Sequence, residues 1–200
     1  MRFHVLPPQH TIQNKDYVAC AYTEKARKFC KMMYDRGHTV FFYGHEYADV
    51  MCSENINVLP QKDWEISYGQ YDYKSNFFKF STEDYAYKVF NQNAIEEIGK
   101  RKQKNDFILP FWGSGHRPVC DAHPDLITVE PGIGYAAGHW AKYKIFESYA
   151  IYHAYYGLQS VGTCMQSWYD TVIPNYFDVD DFTYTDEKED YFLFLGRVYE

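Results

Sequence analysis

Short β-forming runs closed by proline or glycine alternate with segments of helical period along this chain, and that alternation leaves few architectures open. Arg2 to Leu6 is an apolar strand stopped by Pro7-Pro8. After a polar loop, Thr23 can cap a helix in which Ala26, Phe29, Cys30, Met33 and Tyr34 recur at helical spacing, and Gly37 ends it. His38 to Tyr43 is again rich in β-formers, which completes a strand, helix, strand unit. A helix opening at Ser81 or Thr82 runs to about Gly99, with Ala86, Val89, Phe90, Ala94 and Ile98 inward. Then follow a strand from Asp106 to Phe111, a turn at Gly113-Ser114-Gly115, a short helix from Arg117 to His123 and a strand from Leu126 to Val129. A helix from Lys142 to Tyr156, stopped by Gly157, and a short strand from Asp170 to Ile173 complete the series. Strands separated by helices form parallel sheets with right-handed crossovers, so the expected class is α/β, a doubly wound, Rossmann-like parallel sheet.

Between Glu46 and Ser81 the periodicity is poor. Tyr47, Trp64, Tyr68, Tyr71, Tyr73, Phe77, Phe78 and Phe80 are interleaved with polar residues, as in a long connection carrying short elements. Such a segment is either a binding face or an aromatic flap over the sheet. The 21 tyrosines suit sugar stacking, but tyrosine is equally a half-buried packing residue.

Composition removes several classes of function. A formal net charge of -7 argues against nucleic acid as the main partner, because such binders need a basic footprint. The one positive cluster, Lys100 to Lys104, reads as a helix C-terminus whose cations complement the dipole. Cys20, Cys30, Cys52, Cys120 and Cys164 are scattered and odd in number, which reads as reduced thiols in a cytoplasmic protein. No run approaches transmembrane length and the N-terminal apolar run is too short for a signal peptide; peripheral association with a membrane stays compatible with both.

Ligands of an open α/β sheet collect beyond the carboxyl ends of its strands. Three segments should converge there: Pro7 to His10, Trp112 to His116, and Glu130 to Tyr135. Gly113 and Gly115 permit a tight turn with exposed N–H groups, which suits an anionic or hydroxyl-rich ligand. His116, at the end of that turn, is either a ligand contact or a helix-end residue. Glu130-Pro-Gly-Ile-Gly-Tyr135 lacks the third glycine of a dinucleotide fingerprint, yet Gly132 and Gly134 imply close approach to a ligand or to another loop. Glu147 reads as a local cap or ion-pair partner. His116, Cys120 and His123 are too few for zinc, and Pro118 and Pro124 interrupt their helix, so no metal is expected.

The end of the chain has the form of a hinge. Val172-Ile-Pro-Asn-Tyr-Phe-Asp178 stops a strand at Pro174-Asn175, an acidic segment follows, and Tyr191-Phe-Leu-Phe-Leu-Gly-Arg197 reads as a new buried strand. A lone strand with no crossover behind it cannot bury both faces, so residues 1–175 read as one domain, 176–190 as a linker and 191–200 as the opening strand of a second domain. The two halves of this pattern resemble the hinge of GT-B glycosyltransferases of the large retaining group, family 4. Their typical sequence is V-I-P-N-x-[IVFY]-D, then a strand ending G-R, then a lysine-glycine pair; Glu200 falls just where that lysine is expected. The stretch from Ala26 to Gly44 also resembles the first helix and second strand of that family, and V-E-P-G-I-G-Y followed by K-I-F-E-S-Y-A is similar to a subset of its members.

The resemblance implies the N-terminal, acceptor-side half of a GT-B fold. The whole enzyme would transfer a sugar from a nucleotide-diphosphate donor to a glycan or other hydroxyl acceptor, with retention, without metal or further cofactor. It implies His116 as the histidine at the donor sugar (catalytic), Gly113, Gly115 and Arg197 as donor contacts, and Glu130, Gly132, Gly134 and Tyr135 as a cleft loop. Arginine, lysine and helix N-termini would stabilise the departing diphosphate, with Arg197 bidentate on it. The family's glycine-rich phosphate loop is replaced here by Pro7-Pro8-Gln9-His10. The other reading is a non-catalytic carbohydrate-binding or assembly module on the same fold.

Overall fold

The structure, a computed structural model, describes residues 1–69, 79–135, 138–159 and 167–194. Among them the strands are β1 (Arg2–Leu6), β2 (Thr39–His45), β3 (Glu54–Leu59), β4 (Phe107–Pro110), β5 (Ile127–Ile133), β6 (Tyr143–Phe146) and β7 (Thr171–Val172). The helices are α1 (Ala21–Asp35), α2 (Gln61–Tyr68), α3 (Tyr85–Arg101), α4 (Arg117–Asp121) and α5 (Tyr149–Gln159). The strands form one sheet in the order β3-β2-β1-β4-β5-β6-β7, and every neighbouring pair is parallel. The expected doubly wound α/β sheet is therefore what the chain forms. Its winding reverses between β1 and β4, the position at which the loops on either side splay apart and leave a crevice.

Alternation along β1 divides the core between the two faces. Phe3 and Val5 join Val40, Phe42 and Leu109 beneath Ala26 and Cys30 of α1. Leu6 points the other way and joins Tyr43, Ile56, Val58 and Ile108 against Trp64 of α2 and Phe90, Ala94 and Ile98 of α3. The crossovers that step toward β3 and those that step toward β7 thus lie on opposite faces, as right-handed connections demand.

Several boundaries differ from the sequence expectation. α1 begins at Ala21, before Thr23, because the buried Thr23 hydroxyl bonds Thr11 in the loop after β1 and is not free to cap. α3 begins at Tyr85, since Ser81 starts a turn in which the Asp84 carboxylate accepts the Ser81 N–H at 2.7 Å. The stretch from Glu46 to Ser81 carries short elements as expected, β3 and α2 among its described residues. In the edge strand β3 exposed Asn55 and Asn57 alternate with buried Ile56 and Val58, a run of only four residues, and Trp64 alone of α2 is buried, so the apolar signature of each element is short. Tyr71, Tyr73, Phe77 and Phe78 lie outside the described residues.

The largest correction concerns the helix expected from Lys142 to Tyr156. Its first third is β6, whose Tyr-Lys-Ile-Phe run is taken up between β5 and β7. The helix starts only after Ser148, whose Oγ accepts the Ile151 N–H at 3.3 Å as a cap. β5 in turn extends past Val129 to Ile133, through a register shift between Glu130 and Ile133 that accommodates Pro131 and places Gly132 at φ 62°. Tyr191–Phe194 are exposed and join no strand among the described residues, while Leu195, Gly196 and Arg197 lie outside the described residues.

Candidate functional site

The loop after β1 and the turn after β4 meet at the reversal of the sheet and are fastened there by His116. This ring is fully buried. Its Nε2 lies 2.9 Å from the Pro7 carbonyl, which can only accept, so the proton sits on Nε2 and Nδ1 accepts from the Gln9 amide at 3.0 Å. Burial pushes the His116 pKa down to about 3, with only the Pro7 carbonyl pulling the other way. Gln9 is fixed a second time, through the Trp64 indole N–H donating to its carbonyl at 3.1 Å. The ring expected to contact a donor sugar thus ties two loops together and presents neither nitrogen to solvent.

Both glycines of the turn are buried as well. A Cβ on Gly113, which has φ 49°, would lie 2.8 Å from the Tyr135 hydroxyl oxygen and 3.1 Å from Glu130 Oε1; one on Gly115 would press on Tyr87 and Thr82 at 3.1 Å. The Gly115 N–H is taken by the Trp112 carbonyl at 3.2 Å and its carbonyl by the Asn91 amide at 2.9 Å. Both glycines therefore allow close packing of loops, and of the N–H groups that the sequence suggests are open that of Gly115 is taken within the turn.

Glu130 and Tyr135 lie beneath the same turn. Glu130 is fully buried; its Oε1 accepts the Tyr135 hydroxyl at 2.6 Å and its Oε2 the N–H groups of Trp140 and Ala141 at 3.2 and 3.3 Å. Burial, then the Glu130 charge, raises the Tyr135 pKa, so the phenol remains a donor. Gly132 accepts the Lys25 ammonium on its carbonyl at 3.2 Å. A Cβ on Gly134 would collide with Glu147, 2.2 Å from Oε1.

The open side of this arrangement is aromatic. His10 stacks on Phe80 with ring centroids 3.7 Å apart and meets Trp112 edge-on at 5.4 Å. Trp112 packs edge-on against Tyr22 at 4.8 Å, and Tyr22 lies 5.7 Å from Tyr135. Tyr22, Trp112 and Tyr135 are each half-buried, with ring surface left for a ligand. Beside them Lys25 forms an ion pair with Glu147 and holds its ammonium 4.1 Å from the Tyr22 ring centre. Glu147 pairs across to α1, not locally as the sequence suggests. Tyr22 and Lys25 escaped the sequence reading altogether, although both stand in the first turns of a helix that follows a strand, and such turns lie at the carboxyl edge of a parallel sheet.

An apolar trough of about 710 Å³ opens on the α1 face, between Phe29 and Met33 of α1 and Leu109, Val129 and Ile145 of the sheet. Among the described residues no group of three or more His, Cys, Asp or Glu side chains is placed to hold a metal. His123 Nε2 donates to the Ile95 carbonyl at 3.1 Å and His116 Nε2 to that of Pro7, so the two rings do not converge with Cys120. Among the same residues no helix is long and apolar enough to cross a membrane, and Cys20, Cys30, Cys52 and Cys120 carry no disulfide. Arg197 and Cys164 lie outside the described residues.

No family model matches the chain, and no curated protein matches it by sequence. Four chains of solved structures do match. One of them, UDP-N-acetylglucosamine 2-epimerase from Rickettsia bellii, superposes with a TM-score of 0.47 at 8% identity, over 87% of this chain and 44% of that one. The chain spans less than half the length of that protein, and a likeness this loose says nothing about activity.

Proposed function

We propose that this chain is the acceptor-side domain of a retaining, metal-independent glycosyltransferase of the GT-B type. The whole enzyme would move a sugar from a nucleotide-diphosphate donor to an acceptor hydroxyl. The observation that carries the reading is the site's position: the loops after β1, β4 and β5 meet at the reversal of the sheet and there expose the rings of Tyr22, Trp112 and Tyr135. Sugars offer apolar C–H faces to such rings and hydroxyls to the groups around them. The hinge-like run from Val172 to Arg197 supports a continuation into a donor-binding half, with 176–190 as linker and 191–200 as its first strand. In this reading Arg197 holds the diphosphate, and Gly113, Gly115, Gly132, Gly134, Glu130 and Tyr135 shape the cleft wall. His116 acts through Gln9 and Pro7 as a positioning group.

A carbohydrate-binding module without turnover is the second reading. The buried Pro7-Pro8-Gln9-His10 loop favours it, since no glycine-rich phosphate loop stands at the end of β1. Product formation separates the two. The protein carrying both halves, given UDP-, GDP- and ADP-sugars with a panel of glycans, should extend an acceptor with retained anomeric configuration, in EDTA as readily as without it. Residues 1–200 alone should show no turnover. Sugar binding with no transfer from any donor would leave the module, and transfer abolished by EDTA would end the metal-independent mechanism.

A further inference from the structure

Glu147 stands at the carboxyl end of β6, next to the aromatic wall, and its two oxygens are in unlike situations. Oε2 receives the Lys25 ammonium and, at 3.3 Å, the Asn175 amide. Oε1 has no hydrogen-bond partner among the described residues and is not closed off from solvent. Its nearest neighbour is Gly134, where any side chain would collide with the carboxylate. The side chains of Lys25 and Glu147 are 12% and 24% exposed, so the pair is sheltered without being sealed. A carboxylate oxygen of this kind, sheltered but reached by water, can exchange that water for a ligand hydroxyl. The groups with donors to offer beside an aromatic face are sugar hydroxyls.

Resting on the carbohydrate reading above, we infer that Glu147 Oε1 and the Tyr22–Trp112 rings form the seat of the acceptor saccharide. One pyranose face lies on Trp112 and a hydroxyl donates to Oε1. Lys25 and Asn175 are positioning residues that keep the carboxylate turned toward the wall. Asn175 belongs to the segment leading away from β7, so occupation of the seat is felt at the start of the proposed linker.

The test uses the 200-residue chain labelled with 5-fluorotryptophan, its Trp112 signal assigned by Trp112→Phe, and titrated with the methyl glycosides of glucose, galactose and mannose. At least one glycoside should move the Trp112 fluorine signal while the signal of buried Trp64 stays in place. Glu147→Gln should weaken that binding roughly five-fold or more, the scale of one charge-assisted hydrogen bond, and Asn175→Ala, an exposed position, by about two-fold. An unshifted Trp64 signal verifies the fold of each variant. Binding that persists unchanged in Glu147→Gln overturns the seat while leaving the carbohydrate reading intact. No movement of Trp112 with any of the three glycosides overturns the seat too, and the transfer assay then decides the broader reading by itself.

Discussion

Two of the buried histidines, His4 within β1 and His116 past its carboxyl end, are stabilised by different chemistry. His4, in the strand, sits among charges: its Nε2 bonds the Asp106 carboxylate at 3.0 Å and its Nδ1 the Tyr43 hydroxyl at 2.7 Å, while Arg2 grips both Asp106 oxygens at 3.1 Å. Burial lowers the His4 pKa despite that carboxylate. Burial works against ionised Asp106, yet the Gln103 N–H, His4 and Arg2 outweigh it and hold the carboxyl below its usual range. His116, past the other end of the strand, meets only neutral groups, namely the Pro7 carbonyl and the amides of Gln9 and Asn91. His4 is thus held by an ion network and His116 by neutral bonds, although the buried Glu130 carboxylate and the Lys25–Glu147 pair also stand at the carboxyl edge. Neutral partners suffice for His116 because the ring stays uncharged in the fold, whereas ionised Asp106 needs its own charged and N–H partners.

The largest expected effect breaks the charged network. Asp106→Ala leaves Arg2, His4 and the Gln103 N–H without their acceptor, and should lower stability in urea by about 3 kcal/mol, the low end for a buried pair because Arg2 reaches solvent. A loss below about 1 kcal/mol would mean that the network adds little to the fold. His116→Ala should cost somewhat less, about 2 kcal/mol, through lost contact with Phe90 and an orphaned Pro7 carbonyl and Gln9 amide. Its signature is a loosened site: in the folded fraction, glycoside binding at Trp112 should weaken with His116→Ala and hold with Asp106→Ala. The reverse pattern would refute the division of labour between the two networks.

The smallest effect is one of pH. A histidine whose folded pKa is about 3, against 6.5 unfolded, is neutral in the fold and charged in the open chain between those values. The unfolded state then binds the extra proton, so stability is lost as pH falls through 6.5 and the loss ends near 3. Between pH 7 and 5.5 this amounts to about 1 kcal/mol for His116. The wild type should lose about that much more than His116→Ala over the same interval in urea titrations. Equal losses would show that His116 is not held neutral.

Much of the fold was legible because strands of a buried parallel sheet announce themselves by composition. β1, β2 and β4 are apolar runs with Pro or Gly at their ends, and α1 and α3 carry apolar residues at helical spacing. β3 was hard to pick out because its alternation of exposed Asn55 and Asn57 with buried Ile56 and Val58 spans only four residues and asparagine is a poor β-former. β6 was misjudged because Tyr-Lys-Ile-Phe fits both periods when only four residues long, and Ser148 was the overlooked sign of where the helix begins. At the reversal of the sheet, the sequence pointed to the loops that meet there through their glycines and their place after strands. It misjudged what fills them: Gly113 and Gly115 admit Tyr135 and Tyr87, and Gly134 admits Glu147.

The sequence by itself determined the winding of the sheet, since alternating periods and right-handed crossovers leave one family of solutions, and with it the edge where a ligand can lie. Only the tertiary structure decided which side chains face that edge. His116 turned inward because the Pro7 carbonyl, itself cut off from water, needed a donor, and Glu147 turned toward the crevice because Lys25 stands opposite it, 122 residues earlier in the chain. Both outcomes follow from the pairing of buried polar groups, a requirement met between distant segments and therefore invisible to any local pattern.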